Sequence, residues 1–415
     1  MFESHLKSEV RKHAEKGEPA LAALLLGLER ARELDSEIGE SPVPNNELAR
    51  LASRYPESKA PHVVVDSDTK KVSIKLGIRD AETIGEVLKQ IGKGRLRTRM
   101  LYSSALLNLT SCVELFFSQL LHAYFTLHPE AIGTKEKIFS FDDLSDFSSI
   151  EEARAHYVLA RIEELLRGSL ADWLAFAKNT LKISMGYLEE DTALLEESFQ
   201  RRNVIVHNGG LANSIYISKV RSRARSGISL NDDLTPDRHY LNHRIDLWER
   251  ACILIASELW KKLDASDDQR GRSLLEIGYR HLTAKRWSVA ESLCTFLVGD
   301  KQQPEDARLS AQVNVWLCKK ESGDWECERP AVSSSDFSAK GHRFQLARLA
   351  LLDETEKFYE LLPVALASDQ LTREELSEFP VFAPMRADAR YAEYAGKEKK
   401  EKRSRRRKTP TQGGA

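Results

Sequence analysis

Leu194-Leu195-Glu196-Glu197-Ser198-Phe199-Gln200-Arg201-Arg202-Asn203-Val204-Ile205-Val206-His207-Asn208-Gly209-Gly210 reads as a helix with its end written in. Leu194, Leu195, Ser198, Phe199, Arg202 and Val206 follow the 3.6-residue period of a helix packing one face inward. Gly209 and Gly210 supply the stop, because glycine takes the left-handed conformation without a Cβ clash. His207 therefore falls in the last turn, where the helix dipole favours imidazolium. Asn203 and His207 are four apart and share a face. Arg202, five before His207, lies about 140° round the helix and about 7.5 Å along it. A long arginine can reach round that angle, so arginine, amide and imidazole form a set suited to a phosphodiester.

Outward from this stretch the pattern stays helical. Met100, Leu101, Ala105, Leu109, Cys112, Val113, Phe116, Leu120 and Tyr124 predict one long helix buried on a broad face, with no glycine or proline over 95–128. Tyr157 to Leu166, Trp173 to Phe176, Leu181 to Phe199 and Asp246 to Leu263 complete an antiparallel helical bundle over 85–265. Residues 1–82 read as a small α+β accessory module. It has a charged helix, a helix near Pro19 to Ile38 and a break at Gly39 to Asn46. The strands His62–Val65 and Val72–Leu76 then form a hairpin about Asp66 to Lys71. Over 268–395, Leu274, Ile277, Gly278, Trp287, Ala290 and Cys294 resemble the large, small and closing positions of a tetratricopeptide-like helix pair. Further units are expected at Leu309, Val313 and Trp316, and from Phe344 to Tyr394, with Phe379 to Pro384 as terminal helices. The fold class expected is mainly α.

The chain has 415 residues and a formal net charge of −1. Nine basic residues against Glu398 and Glu401 give Lys397 to Lys408 a local charge of +7, leaving −8 for the rest. Residues 396–415 are thus expected to be a disordered basic tail. Five cysteines, Cys112, Cys252, Cys294, Cys318 and Cys327, show no CxxC pair and fit a reducing cytosol, so a cytoplasmic location is expected. Leu21 to Leu28 is too short to span a bilayer and lacks signal-peptide flanks, which speaks against a membrane role. No Walker-type loop, zinc tetrad, Ser-His-Asp order or HExxH motif is present, so no metal and no cofactor is expected.

Arg202-Asn203-x-x-x-His207 resembles the signature of the HEPN superfamily: arginine, a polar residue, then histidine four to six positions after the arginine. Its continuation His207-Asn208-Gly209-Gly210 is similar to the subset found in prokaryotic defence and toxin ribonucleases. The resemblance covers roughly residues 90–265. It implies a metal-independent endoribonuclease in which the RNA 2′-OH attacks its own phosphodiester, leaving a 2′,3′-cyclic phosphate and a 5′-OH. It also implies a homodimer, with the motif helices of two protomers facing one another across one cleft. A toxin or anti-phage role would follow. The rival reading is a non-catalytic dimeric scaffold whose C-terminal helices carry a protein partner.

Residue roles follow. His207 would move protons and Arg202 would hold the non-bridging oxygens. Asn203 would orient His207 or the phosphate. Arg201 satisfies the arginine spacing too, and with Asn208 is placed on the RNA side of the site. Glu114, amid Phe116, Phe117 and Leu120, either pairs with Arg202 or His207 or faces solvent. The family often carries an acidic residue on this first helix. Two basic clusters are candidate RNA contacts: Lys93, Arg95, Arg97 and Arg99, expected just before the long helix, and Lys219, Arg221, Arg223 and Arg225, expected on an exposed strand or loop. Tyr216 is the aromatic nearest to serve in base stacking.

Overall fold

The computed structural model describes residues 62–65, 72–75, 81–128, 131, 144 and 146–395, and in its first long helix it describes side chains from Leu96 onward. The expected elements within residues 1–61, and the basic segment 396–415, lie outside the described residues. What is described is mainly α-helical. Strands β1 (His62–Val65) and β2 (Val72–Lys75) pair antiparallel, His62 opposite Lys75. Contacts divide the chain into a unit ending at Cys252 and a unit starting at Ile253.

In the first unit, α1 (Ala81–Leu127) is the central element. Its buried face runs from Tyr102 through Leu106, Leu109, Val113, Phe116 and Leu120 to Tyr124 and Phe125. Met100 and Leu101, expected to open that stripe, are instead exposed. The stretch Leu96–Leu127 is long and apolar enough to cross a membrane by length and composition, and here it carries this buried face. Next come α2 (Ile150–Leu166) and α3 (Leu170–Asn179). Ser149 caps the first of these, and a Ser169–Asp172 capping box starts the second. Helix α4 (Thr192–Asn208) carries the motif. The short α5 (Ser214–Lys219) follows, and then α6 (Arg238–Leu263), of which residues 238–252 belong to this unit. A row of aromatic rings ties these helices together. Phe117 meets Trp173 at 5.4 Å, Trp173 meets Phe199 at 5.4 Å, and Phe199 meets Trp248 at 5.6 Å. Edge-on and tilted contacts of this kind suit the aromatic quadrupole.

In the second unit, antiparallel pairs follow one another: α7 (Gln269–Thr283) with α8 (Trp287–Gly299), α9 (Glu305–Ser322) with α10 (Trp325–Ser334), and α11 (His342–Leu351) with α12 (Thr355–Ala367). A Cβ at Gly278 would lie 3.3 Å from Cys294 Sγ, so the small residue permits the close approach of α7 and α8. Short elements finish the unit: α13 (Arg373–Glu378), a 3₁₀ turn Pro380–Phe382, α14 (Ala383–Arg386) and α15 (Tyr391–Ala395). Phe382 is fully buried against Phe358. A cavity of ≈ 370 Å³ opens among Tyr279, Val313, Phe344, Phe379 and Phe382, with Asp306 and Arg343 also in its wall.

Candidate functional site

Helix α4 ends as its sequence dictates. Gly209 is left-handed at φ 61, Gly210 follows at φ 85, and the N–H groups of both point at the Val204 carbonyl. The chain after the stop is tied down. Leu234 N donates to Gly210 O at 2.7 Å, and Ala212 N to Asp232 O at 2.8 Å. Asn208 Nδ2 reaches Leu211 O at 2.5 Å. From α1, Arg99 Nη2 donates to the Gly209 carbonyl at 3.2 Å while its Nη1 pairs with Asp233 at 2.9 Å. The helix end is therefore fixed from two directions.

On that fixed end the outer face carries the motif. Arg202 Nη1 donates to Asn203 Oδ1 at 3.1 Å, so the arginine does bend round toward the amide. His207, one turn beyond Asn203, is exposed and makes no hydrogen bond or ion pair among the described residues. A fork of donors, an amide and an open imidazole thus sit on adjacent turns. That arrangement can hold a phosphate and move a proton next to it. Val206, expected to face inward, is 46% exposed. Leu195 and Ser198 are buried as expected, and Ala193, Glu197 and Val204 are buried with them. Val204 packs in a small cluster with Ala212, Tyr216, Val220 and Leu234, which turns the last helical turns away from the main core.

Beneath this face lies a buried charged network. Glu197, fully buried, accepts from Arg201 Nε at 2.7 Å, Tyr216 Oη at 2.7 Å, Tyr240 Oη at 2.7 Å and Arg244 Nη2 at 2.9 Å. The guanidiniums of Arg201 and Arg244 lie over the Tyr240 ring at 4.0 and 4.5 Å. Burial alone would raise the carboxyl's pKa, but attraction by Arg201 and Arg244 and the Tyr240 hydrogen bond outweigh it, and the net shift is downward. Burial and the neighbouring carboxylate push the Tyr216 and Tyr240 phenols up. Two arginines against one carboxylate leave the network with an excess positive charge.

Several expected assignments change. Arg201 spends its guanidinium on Glu197 and on the Leu234 carbonyl at 3.2 Å, so it belongs to the interior and not to an RNA surface. Tyr216 is 1% exposed with its hydroxyl on Glu197, which removes it from base stacking. Glu114 is half-buried and forms no ion pair with Arg202 or His207. It lies fifteen residues, about 22 Å, along α1 from Arg99, whose side chain grips the end of the motif helix. Lys93, Arg95, Arg97 and Arg99 are not ahead of the long helix but inside it. Arg97 is exposed, Arg99 is anchored as above, and the side chains of Lys93 and Arg95 are outside the described residues. Lys219 closes α5, and Arg223 lies in a 3₁₀ turn, with Arg221 and Arg225 flanking it, so the second cluster is loop and turn with no strand. Arg221 faces Glu196 at 3.4 Å and Arg223 reaches Glu189 O at 3.2 Å. Arg221 and Arg223 therefore flank the first half of the motif helix, where Glu196 lies about 16 Å along the axis from His207.

Sequence reasoning missed Glu197, Tyr240, Arg244 and His243. Glu197 stands four before Arg201, the spacing of a helical ion pair, and that signal was readable. The residues on α6 are more than forty positions away and no local spacing announces them. Among the described residues no group of three or more His, Cys, Asp or Glu is placed to share a metal ion. No protein-family model matches the chain, and no match to a curated protein or a solved structure was found.

Proposed function

We propose that this chain is a HEPN-type endoribonuclease that cuts RNA without a metal ion. The observation that carries the reading is the outer face of α4, where Arg202 rests on Asn203 and an exposed, unpaired His207 lies one turn on. The RNA 2′-oxygen attacks the adjacent phosphorus and the P–O5′ bond breaks. The 2′-OH gives up its proton to a base, and the 5′-oxygen receives one from an acid. His207 of one protomer serves as acid and that of its partner as base, while Arg202 balances the charge on the non-bridging oxygens. The open position of His207 supports the pairing of two motif helices in a homodimer, and the proposed setting is cytoplasmic defence or growth arrest.

A composite cleft is testable by mixing. His207→Ala and Arg202→Ala proteins, each inactive alone, should regain part of the activity on mixing if each cleft draws on both chains. A fully active monomer would refute the shared cleft. EDTA should leave the rate unchanged.

One observation favours the rival reading of a partner-binding scaffold. The cavity in the second unit joins aromatic walls to the Asp306–Arg343 pair at 2.9 Å, a lining suited to a side chain of another protein. The two readings are compatible if the second unit recruits and the first cuts.

A further inference from the structure

Contacts fix the register of α4 against α6. Asp191 pairs with Arg250, Glu197 with Arg244 at 2.9 Å, and Arg201 lies over Tyr240 at 4.0 Å. Each step forward on α4 matches one step back on α6, so the helices are antiparallel and Arg202 comes level with His239. Their facing sides follow from helical periodicity. Asp191 and Arg202, eleven apart, share one stripe of α4 to within about 20°. His239, His243 and Arg250 share one stripe of α6 to within about 40°. The Asp191–Arg250 pair joins these two stripes. Hence Arg202 roots on the side of the helix pair that also presents His239 and His243, both of which are exposed.

His243 is held in one chemical form. Arg244 Nη1 lies 2.8 Å from His243 Nδ1. A guanidinium can only donate, so Nδ1 carries the lone pair and the proton of the neutral ring is on Nε2. Arg244 is itself pinned, 6% exposed, by Glu197 and the Tyr240 ring. Partial burial first, then Arg244, Arg250 and His239, hold the His243 pKa below its usual value against the opposing pull of Asp191, which favours the neutral ring. A neutral imidazole on an exposed residue, its Nε2–H without a partner among the described residues, suits an oxyanion, as it can donate directly.

We propose that His243, oriented by Arg244 and Glu197, is a phosphate-binding residue of the Arg202 site that donates Nε2–H to an oxygen of an RNA phosphate, with His239 one turn away on the same stripe. The assignment of that phosphate to RNA rests on the ribonuclease reading; the oxyanion site itself does not. The test uses the full chain carrying His207→Ala, so that RNA stays intact. Imidazole ¹⁵N spectra should show His243 with its proton on Nε2, and inorganic phosphate should shift that signal. Affinity for a 2′-O-methyl oligoribonucleotide should fall about tenfold in His243→Ala. His243→Gln, whose amide can still donate, should recover at least about a third of the lost affinity on a logarithmic scale. A proton on Nδ1, or affinity within about twofold of the parent in His243→Ala, would overturn the proposal. If oligonucleotide binding depends on His243 but the wild-type chain cuts no RNA, the oxyanion site stands and the ribonuclease reading fails.

Discussion

Each unit buries a charged centre, and the two are built on different balances. In the second unit Arg270, fully buried, meets Asp300 at 2.9 Å and gives its remaining donors to the carbonyls of Asp264 at 2.7 Å and Ala265 at 2.9 Å. In the interior one cation meets one anion, with half-exposed Lys261 Nζ at the rim 3.6 Å from Asp300, and the surplus hydrogen bonds of Arg270 go to backbone. In the first unit Glu197 faces two guanidiniums and two phenols, and one of those guanidiniums passes its other donor to His243 at the surface. The balanced centre stitches the turn before α7. The other braces the motif helix, with Arg201 on α4 and Arg244 on α6 meeting at Glu197. A buried charge costs less when paired and hydrogen-bonded. An uncompensated cation beside a surface site is the arrangement expected where an anion is to be received.

The largest effect should come from breaking these centres. Glu197→Ala strands two buried guanidiniums and two hydroxyls, and a loss of about 5 kcal/mol is expected for the first unit. Arg270→Ala should cost less, about 3 kcal/mol, because Lys261 Nζ stands 3.6 Å from Asp300 and keeps part of the compensation. Chemical denaturation of each variant measures both. Equal losses would erase the distinction drawn between the two centres.

Acid should find the same difference. The folded-state pKa of Glu197 lies below its ordinary value of 4.5, so its stabilising contribution is complete above that value. It is lost as pH falls through the lower folded value. Wild-type chain should therefore weaken below about pH 4.5, and Glu197→Gln should flatten that loss. An identical acid limb in the variant would show that the carboxylate is not the group titrating.

Legibility from sequence was uneven for physical reasons. Helix α4 and its stop could be read because period and glycine act within one turn, and the grouping of Arg202, Asn203 and His207 followed from spacing alone. The inward stripe was misread at Val206, since a local period cannot show that the last turns leave the main core for the cluster around Val204. Arg201 and Arg202 are indistinguishable by type. Only Tyr240 and Arg244, brought in by α6, decide which one is internal. Glu114 looked like a partner because apolar neighbours surround it in sequence, whereas the distance along α1 from Arg99 separates it from His207. The tie from Arg99 to Asp233 spans 134 positions, so no local spacing announces it.

The smallest expected effect concerns the basic cluster from Lys219 to Arg225. Replacing Lys219, Arg221, Arg223 and Arg225 with alanine should weaken binding across unrelated RNA sequences. It should also flatten the salt dependence by about 0.7 of slope for each single-strand phosphate no longer neutralised. Arg221 and Arg223 already have partners in Glu196 and the Glu189 carbonyl, so the change should be smaller than four phosphates would give. Titrations at several salt concentrations decide it, and an unchanged slope would remove the cluster from the RNA path.

The proposed cleavage turns on His207. Wild-type chain and His207→Ala should be compared on one RNA, with the product ends mapped chemically. The prediction is 2′,3′-cyclic phosphate and 5′-OH ends from the wild type, and cleavage slower by about 10³-fold in the variant at unchanged fold. Products ending in 3′-OH and 5′-phosphate, or a variant that cuts at the wild-type rate, would contradict it.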